Sequence, residues 1–119
     1  MKKRIYVAGA FNAGNVLDVL ANMRRGMRQA VEVLLAGYSP FCPWLDYHFA
    51  LMLKEGENLT IENFYNYSMA WLEVSDAILV ILEGAEESVG TQGEIKKAKE
   101  LGIPICYSLG ELNELFSWP

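Results

Sequence analysis

The chain has 119 residues, of which 52% are hydrophobic and 21% charged, and its formal net charge is −5. This length predicts one domain, residues 1–119, with a core of its own, and the composition is typical of a soluble globular protein. The negative charge argues against a nucleic-acid polymer as partner, because neutralising phosphates requires a basic face. The longest apolar run, 77–82, is far shorter than the roughly 20 residues of a membrane span, so no membrane partner is expected.

The N-terminal residues are basic and then apolar, but the apolar stretch ends at Gly9. It is shorter than the h-region of about 7–15 residues that a signal peptide needs, so we predict a cytoplasmic protein. Cys42 and Cys106 fall in apparent strands without C-x-x-C spacing, and His48 is the only histidine. We interpret the cysteines as buried thiols in a reducing compartment, and we predict neither a metal site nor a cofactor.

Predicted strands and helices alternate along the chain. Asn22 is one candidate for the start of the first long helix, Gly37 and Gly102 are expected to end helices, and Thr60 is expected to cap one. The elements predicted from apolar spacing are a strand at 3–8, a helix within 16–35, a short edge strand at 38–43, one or two helical turns after 44, a helix from 60 to about 74, a strand at 77–82, a helix at 91–101, a strand at 103–107 and a helix at about 109–116.

This alternation predicts an α/β fold. We expect a small doubly wound (flavodoxin- or Rossmann-like) parallel sheet of four to five strands, flanked by helices, with right-handed crossovers and the first strand central. Ligands of such sheets bind beyond the carboxyl ends of the strands, where the winding reverses. The crevice is therefore expected between the segments 9–14 and 83–94.

The segment 88–94, Ser-Val-Gly-Thr-Gln-Gly-Glu, lies between a predicted buried strand and a predicted helix. Backbone N–H groups of such a loop, together with a helix N-terminus, form a site for an anion. In this interpretation Ser88 and the amides of 90–93 hold a phosphate, and Glu94 faces the crevice as a nucleophile or base. The same residues also fit a capping box, in which Thr91 caps the Glu94 amide and Glu94 reaches back to Thr91.

Three blocks of the chain resemble the nucleoside 2-deoxyribosyltransferase superfamily, including its nucleoside 5′-monophosphate N-glycosidase branch and related uncharacterised phage and bacterial domains. The first block is Arg-Ile-Tyr-Val-Ala-Gly at 4–9. The second is 22–43, which ends in Leu-Ala-Gly-Tyr-Ser-Pro-Phe-Cys-Pro, and the third runs from Trp-Leu at 71–72 to Glu94. The resemblance extends from Arg4 to about Cys106.

The resemblance implies an enzyme that cleaves or transfers at the N-glycosidic bond of a (deoxy)nucleoside 5′-monophosphate. Glu94 would attack the anomeric carbon to form a glycosyl–enzyme intermediate, and the Tyr6 hydroxyl would orient it. Ser88 matches the serine of the monophosphate branch, where the nucleoside branch has aspartate, so a phosphorylated substrate is implied. The residues expected to bind substrate are Gly9, Asn12, Ser68, Ser88, Gly90 and Thr91.

Two regions depart from the family pattern. Ser68 stands where the family commonly has an aspartate that contacts the base or assists its protonation. The first loop has Ala10 and Asn12 in place of polar or basic phosphate contacts. The candidates for a replacement acid are Asp46, Asp76 and Glu87.

Two other functions stay open. A non-catalytic nucleotide-binding sensor or regulatory module on the same fold would account for Ser68 and Ala10. The pattern Gly90-Thr91-x-x-Glu94 also resembles part of the motif of phosphoribohydrolases that activate cytokinins, although those have a longer chain and a glycine-rich first loop. The base, and the choice between hydrolysis and transfer, are not determined by the sequence.

Aromatic residues make up 12% of this small chain. This content, together with the oligomers found in the resembling superfamily, predicts a homodimer or higher homo-oligomer. Trp44 and Tyr47 fit either the floor of a base-stacking pocket or a subunit interface. Phe64, Tyr67 and Trp71 recur at helical spacing and fit either the core or a helix-packed dimer face.

Overall fold

The structure is a computed structural model, and it describes residues 2–117. Among these residues, four parallel strands form one sheet: β1 (Arg4–Ala8), β2 (Ser39–Phe41), β3 (Ala77–Val80) and β4 (Ile105–Cys106). Their order across the sheet is β2-β1-β3-β4. The predicted α/β fold is therefore confirmed, with β1 in the interior, the proline-containing β2 at an edge, and β3 and β4 shorter than predicted.

In the part of the chain that the structure describes, five helices surround the sheet: α1 (Val16–Leu35), α2 (Tyr47–Leu51), α3 (Ile61–Glu73), α4 (Val89–Leu101) and α5 (Leu109–Phe116). A 3₁₀ turn, Pro43–Asp46, directly precedes α2. Within residues 2–117, no helix combines the length and the apolar character that a membrane crossing requires.

Apart from Arg4, the residues of the two central strands are buried, and successive side chains of β1 face opposite layers. Val7 belongs to the core cluster that contains residues of α1 and α5, such as Val33 and Leu112. Tyr6 belongs to the cluster on the other face, with Leu72 of α3 and Ile95 of α4. This alternation places the Tyr6 side chain in the layer that also contains Glu94.

Most helix ends follow local capping rules. Gly37 follows α1 with φ +99°, Gly102 ends α4 with φ +72°, and Thr60 forms a capping box with Asn63 at the start of α3, so these predictions are confirmed. Asn22 is not a cap. Helix α1 begins earlier because Asn15 Oδ1 accepts a hydrogen bond from the Asp18 amide at 2.9 Å.

The 3₁₀ turn is fixed against the first helix by Trp44, whose side chain is 1% exposed. A Cβ atom at Gly26 of α1 would lie only 2.2 Å from Trp44 Cδ2, so the indole ring packs directly on the helix backbone. Trp44 Nε1 also donates a hydrogen bond to the Ala10 carbonyl at 3.2 Å. These contacts hold the turn beside the carboxyl end of β1.

Candidate active site

A cavity of about 610 Å³ opens beside the carboxyl end of β1 and the N-terminal end of α4. The sheet order reverses between β1 and β3, which is the expected ligand-binding position in a doubly wound fold. Each residue predicted to bind substrate lines this cavity, and so does Glu94: Gly9, Asn12, Ser68, Ser88, Gly90 and Thr91. The fold therefore brings together residues that lie up to about 85 positions apart in the sequence.

Glu94 is held by Tyr6 of the neighbouring strand. The Tyr6 hydroxyl donates a hydrogen bond to Glu94 Oε2. Tyr6 is itself fully buried, and Phe41 stacks on its ring with centroids 5.3 Å apart and planes at 25°. Because the tyrosine ring is fixed by this packing, its hydroxyl defines the orientation of the carboxylate at the cavity wall.

Burial raises the pKa of Glu94 to about 7, and the hydrogen bond from Tyr6 lowers it only in part. At neutral pH the free protein therefore contains both the carboxylate and the carboxylic acid. Burial and the nearby charge of Glu94 raise the pKa of Tyr6 well above its ordinary value. Tyr6 consequently remains a protonated donor at any pH of interest.

The predicted capping box of Thr91 and Glu94 is wrong. Helix α4 begins at Val89, two residues before the predicted start, because Ser88 acts as its N-cap. Ser88 Oγ accepts hydrogen bonds from the Thr91 amide at 3.2 Å and from Thr91 Oγ1 at 2.8 Å. Glu94 therefore lies beyond the first turn, where its side chain contacts Tyr6 rather than the helix end.

The same early start narrows the predicted anion site. The Thr91 and Gln92 amides already donate to Ser88, so the amides of 90–93 do not form a common cradle. The Val89 and Gly90 amides occupy the first two helical positions, where no carbonyl of the helix can accept from them. Ser88 accepts two hydrogen bonds and keeps its own O–H to donate. These neutral donors, with the positive end of the helix dipole, can bind an anion.

A second carboxyl group enters the cavity wall from the 3₁₀ turn. Asp46 is only 9% exposed, and the Ser68 hydroxyl donates to its Oδ2 at 3.5 Å, the limit of a hydrogen bond. Burial raises the pKa of Asp46 to about 6, although the Ser68 contact lowers it. The sequence alone made Asp46 only one of three candidate acids. Its position in the structure depends on the packing of Trp44 against α1, which no sequence pattern indicates.

The other two candidate acids are placed differently. Glu87 lines the cavity but is exposed. Asp76 precedes β3, and its Oδ2 accepts a hydrogen bond from the Arg4 amide at 2.7 Å. It therefore lies at the amino end of the sheet, opposite the cavity, and cannot act there.

Trp44 and Tyr47 both line the cavity, which agrees with the pocket interpretation of these aromatic residues. His48 is exposed, and its Nδ1 lies 3.1 Å from the Leu45 carbonyl. Cys106 is buried and Cys42 is half-buried, and both are free thiols. Within the described part of the chain, no group of histidine, cysteine and acidic side chains has the arrangement of a metal site.

Of the residues that the structure describes, three with carboxyl groups line the cavity: Asp46, Glu87 and Glu94. Its lining contains no lysine or arginine among residues 2–117. Arg25 of α1 instead pairs with Glu83 at 3.0 Å and donates to Asn22 Oδ1 at 2.9 Å, which ties the helix to the segment after β3. Any anion in the cavity would therefore be held by neutral donors and the helix end.

The fold is similar to that of a solved 2-deoxyribosyltransferase. A 2-deoxyribosyltransferase from the psychrotolerant bacterium Bacillus psychrosaccharolyticus superimposes with a TM-score of 0.58 at 18% identity, over 86% of this chain and 69% of that one. A conserved protein from Enterococcus faecalis V583 superimposes with a TM-score of 0.58 at 20% identity, over 88% of this chain. The match covers 62% of the Enterococcus protein, so the chain spans less than two thirds of its length.

These similarities confirm the resemblance at the level of the fold. By sequence, the chain belongs to the family described as Domain of unknown function (DUF7768), whose profile matches residues 3–108. No curated protein matches the sequence.

Proposed function

We propose that this protein cleaves or transfers at the N-glycosidic bond of a (deoxy)nucleoside 5′-monophosphate. The observation that carries the proposal is the carboxyl group of Glu94. It is part-buried at the wall of a large cavity and accepts a hydrogen bond from the Tyr6 hydroxyl. A carboxylate in such a position can attack a sugar carbon, as it does in retaining glycosidases. The 2-deoxyribosyltransferase activity of the Bacillus protein, which has the same fold, supports this class of reaction.

The proposed reaction begins with ionised Glu94 in contact with the anomeric carbon of the sugar. Tyr6 orients the carboxylate through its hydrogen bond and stabilises its charged form. The bond from the sugar to the base breaks as the bond to Glu94 forms, and positive charge develops on the sugar ring. Water or a second base then releases the sugar from Glu94.

The proposed site for the phosphate is the N-terminal end of α4. Ser88 has a free O–H, and the Val89 and Gly90 amides have no acceptor in the helix. A Cβ atom at Gly90 would meet nothing within 4 Å, so the backbone there is open to a ligand. Gly9, Asn12, Thr91 and Ser68 are proposed to shape the rest of the substrate site.

Three further properties belong to the proposal. We infer a single domain over 1–119, a cytoplasmic location and a homodimer or higher homo-oligomer. Ile61 and Val89 line the mouth of the cavity and are each 89% exposed, so a second copy that covered the mouth would bury them. No metal or cofactor takes part in the proposed reaction.

A panel of deoxynucleoside and nucleoside 5′-monophosphates, with the matching nucleosides, tests the proposal. We expect the protein to release free base from at least one monophosphate, as measured by chromatography, and more slowly from the matching nucleoside. Glu94→Gln keeps the size of the side chain and an oxygen that accepts from Tyr6, yet it should slow release by at least about 10³-fold because the nucleophile is lost. Glu86→Gln, an exposed change in the same segment, is the control.

The proposal fails if no compound of the panel releases base, or if Glu94→Gln releases it at the rate of the unchanged protein. A nucleotide-dependent rise in Tm without base release would instead identify the non-catalytic nucleotide sensor. Equal rates with nucleosides and monophosphates would remove the proposed role of Ser88 and the α4 amides.

A further inference from the structure

We propose that Asp46 is the proton donor to the departing base, so that the 3₁₀ turn supplies the acid that helix α3 lacks at Ser68. This inference rests on the proposed function above. It concerns a residue outside the three blocks of sequence resemblance, on a turn of which only the first residue, Pro43, belongs to one of them.

The position of Asp46 is set by the packing of its neighbours. Trp44, two residues earlier, is locked between the backbone of α1 at Gly26 and the Ala10 carbonyl. The turn therefore has little freedom. Asp46 lines the cavity, and its contact with Ser68 places its carboxyl group beside α3. A carboxyl group so fixed and so little exposed has the constraints expected of a catalytic acid.

The identity of residue 68 agrees with this assignment. Ser68 is buried, and its hydroxyl faces both Asp46 and Tyr6. An aspartate at 68 would bring two carboxyl groups within a few ångströms of each other, and like charges at that distance cannot both ionise readily. A serine donates to Asp46 instead. Ser68 and Asp46 are therefore a complementary pair, and their contact contains one carboxyl group instead of two.

The groups that face Asp46 do not force it to ionise. They are Tyr6 of β1, Tyr67 of α3 and Cys42 before the turn, and the pKa of each is raised, chiefly by burial. All three are neutral near pH 7, and none is a cation. Burial also raises the pKa of Asp46 to about 6, so part of the protein holds the neutral acid at neutral pH. Glu87, which is the third carboxyl group of the cavity lining beside Asp46 and Glu94, is exposed.

The first half of the reaction, up to departure of the base, needs only the nucleotide, Glu94 and Asp46. A Glu94 carboxylate oxygen forms a bond to the anomeric carbon, and the bond from that carbon to the base nitrogen breaks. The electron pair of the broken bond stays on the base, which takes the Asp46 proton and leaves as a neutral molecule. In the second half, Asp46 accepts a proton from water as the water oxygen bonds to the anomeric carbon, and the Glu94 carboxylate departs.

The test compares two leaving groups in one variant. The deoxynucleoside 5′-monophosphate that the wild-type protein cleaves fastest, taken from the four common ones, needs its base protonated. The 5′-monophosphate of 7-methyl-2′-deoxyguanosine carries a positively charged base that leaves without protonation. Asp46→Asn should slow release of the common base by about 10²–10⁴-fold, while release of 7-methylguanine changes little. Asp76→Asn is the matched control, because it makes the same change at the opposite end of the sheet.

The ratio of the two rates decides the question, because loss of folded protein lowers both rates equally and leaves their ratio unchanged. An unchanged ratio in Asp46→Asn overturns the inference and leaves the proposed function intact. A wild-type protein that releases base from neither compound overturns the proposed function itself. The assignment also predicts that kcat/KM of the wild-type protein falls above pH 7, as Asp46 loses its proton, and that Asp46→Asn lacks this fall. A fall of the same size in the variant would contradict the assignment.

Discussion

At Glu94, two physical effects act in opposite directions on one carboxyl group. Burial disfavours the charged form, and the Tyr6 hydroxyl favours it. Burial has the larger effect, since the pKa rises to about 7 rather than falling. The tyrosine therefore keeps a useful fraction of Glu94 ionised near neutral pH, in addition to orienting it. Each part of this balance can be measured separately.

Tyr6→Phe isolates the contribution of the hydroxyl. Phenylalanine keeps the stacking with Phe41 but cannot donate to the carboxylate. We expect the pKa of Glu94 to rise further in this variant, because the interaction that stabilises the charged form is lost. Titration of the Glu94 side-chain carbon by NMR measures the shift. A pKa equal to that of the unchanged protein, or lower, would show that Tyr6 does not stabilise the carboxylate.

The raised pKa of Glu94 also predicts how stability depends on pH. The folded protein binds the proton more tightly than the unfolded chain, whose glutamate has the ordinary value near 4.5. The Glu94 contribution is therefore fully present below about pH 4.5 and is lost as the pH rises through about 7. Asp46, with a pKa of about 6, contributes with the same sign over a lower range.

Glu94→Gln should remove this dependence. Between pH 5 and pH 8 the free energy of unfolding should fall more in the unchanged protein than in the variant, by about 1–3 kcal/mol. Urea unfolding at the two pH values gives the comparison, and exposed Glu86→Gln serves as the control. An equal change in the free energy of unfolding between the two pH values, in the protein and in its Glu94 variant, would contradict the raised pKa of Glu94.

At the scale of the elements, contact between α1 and the 3₁₀ turn fixes one wall of the cavity. Gly26→Ala would place a Cβ atom inside the Trp44 ring, so either the helix or the turn must move. We expect a loss of about 1–3 kcal/mol or more from overpacking. Gly93→Ala is the matched change, a helical glycine whose Cβ would meet nothing within 4 Å, and it should stabilise the protein by about 0.5–1 kcal/mol.

Thermal or urea unfolding of the two glycine variants measures the contrast. The two substitutions add the same methyl group to a helix interior, so helix propensity alone would make both stabilising. Equal stabilisation of both variants would show that Trp44 does not pack against the backbone of α1. The expected effects have opposite signs: Gly26→Ala lowers the free energy of unfolding, and Gly93→Ala raises it.

Local sequence rules predicted best the elements that have a single possible capping residue and a single periodic pattern of apolar residues. Thr60 starts α3, Gly37 and Gly102 follow α1 and α4, and α5 has the predicted bounds. The predicted start of α4 was wrong, and the sequence did not decide between two starts for α1, because each segment holds two possible caps. Asn15 competes with Asn22, and Ser88 competes with Thr91. The side chain of Asn22 instead donates to the Phe11 carbonyl at 3.1 Å, and that of Thr91 donates to Ser88.

The candidate site was predictable to a similar degree. Glu94, Tyr6 and Ser88 belong to blocks of sequence that resemble a known superfamily. Glu94 and Ser88 line one crevice, and the strand β1, paired with β3, places Tyr6 where its hydroxyl reaches Glu94. Asp46 has no such signal. Its place depends on the indole of Trp44 against Gly26, a contact between residues 18 positions apart that no periodic pattern records.

At the scale of the whole molecule, apolar surface remains uncovered. Leu17 and Leu35 at the two ends of α1 are 76% and 77% exposed, and Ile61 and Val89 at the cavity mouth are each 89% exposed. We propose that contact between copies of the chain covers part of this surface. We expect a particle of at least two 13.4 kDa chains in sedimentation at micromolar concentration. Ile61→Asp should shift it toward the monomer, whereas a monomer before any substitution would contradict the proposed oligomer.

The central claim, that Glu94 forms a bond to the sugar, can be tested by trapping the intermediate. A fluorine at the 2′ position of the nucleotide destabilises the positively charged sugar and slows release from the carboxylate. Peptide mass spectrometry after incubation with 2′-fluoro-arabinonucleoside 5′-monophosphates should then show the fluorinated sugar phosphate on the peptide that contains Glu94. Release of base with Glu94 unmodified, or with the sugar on another residue, would contradict it.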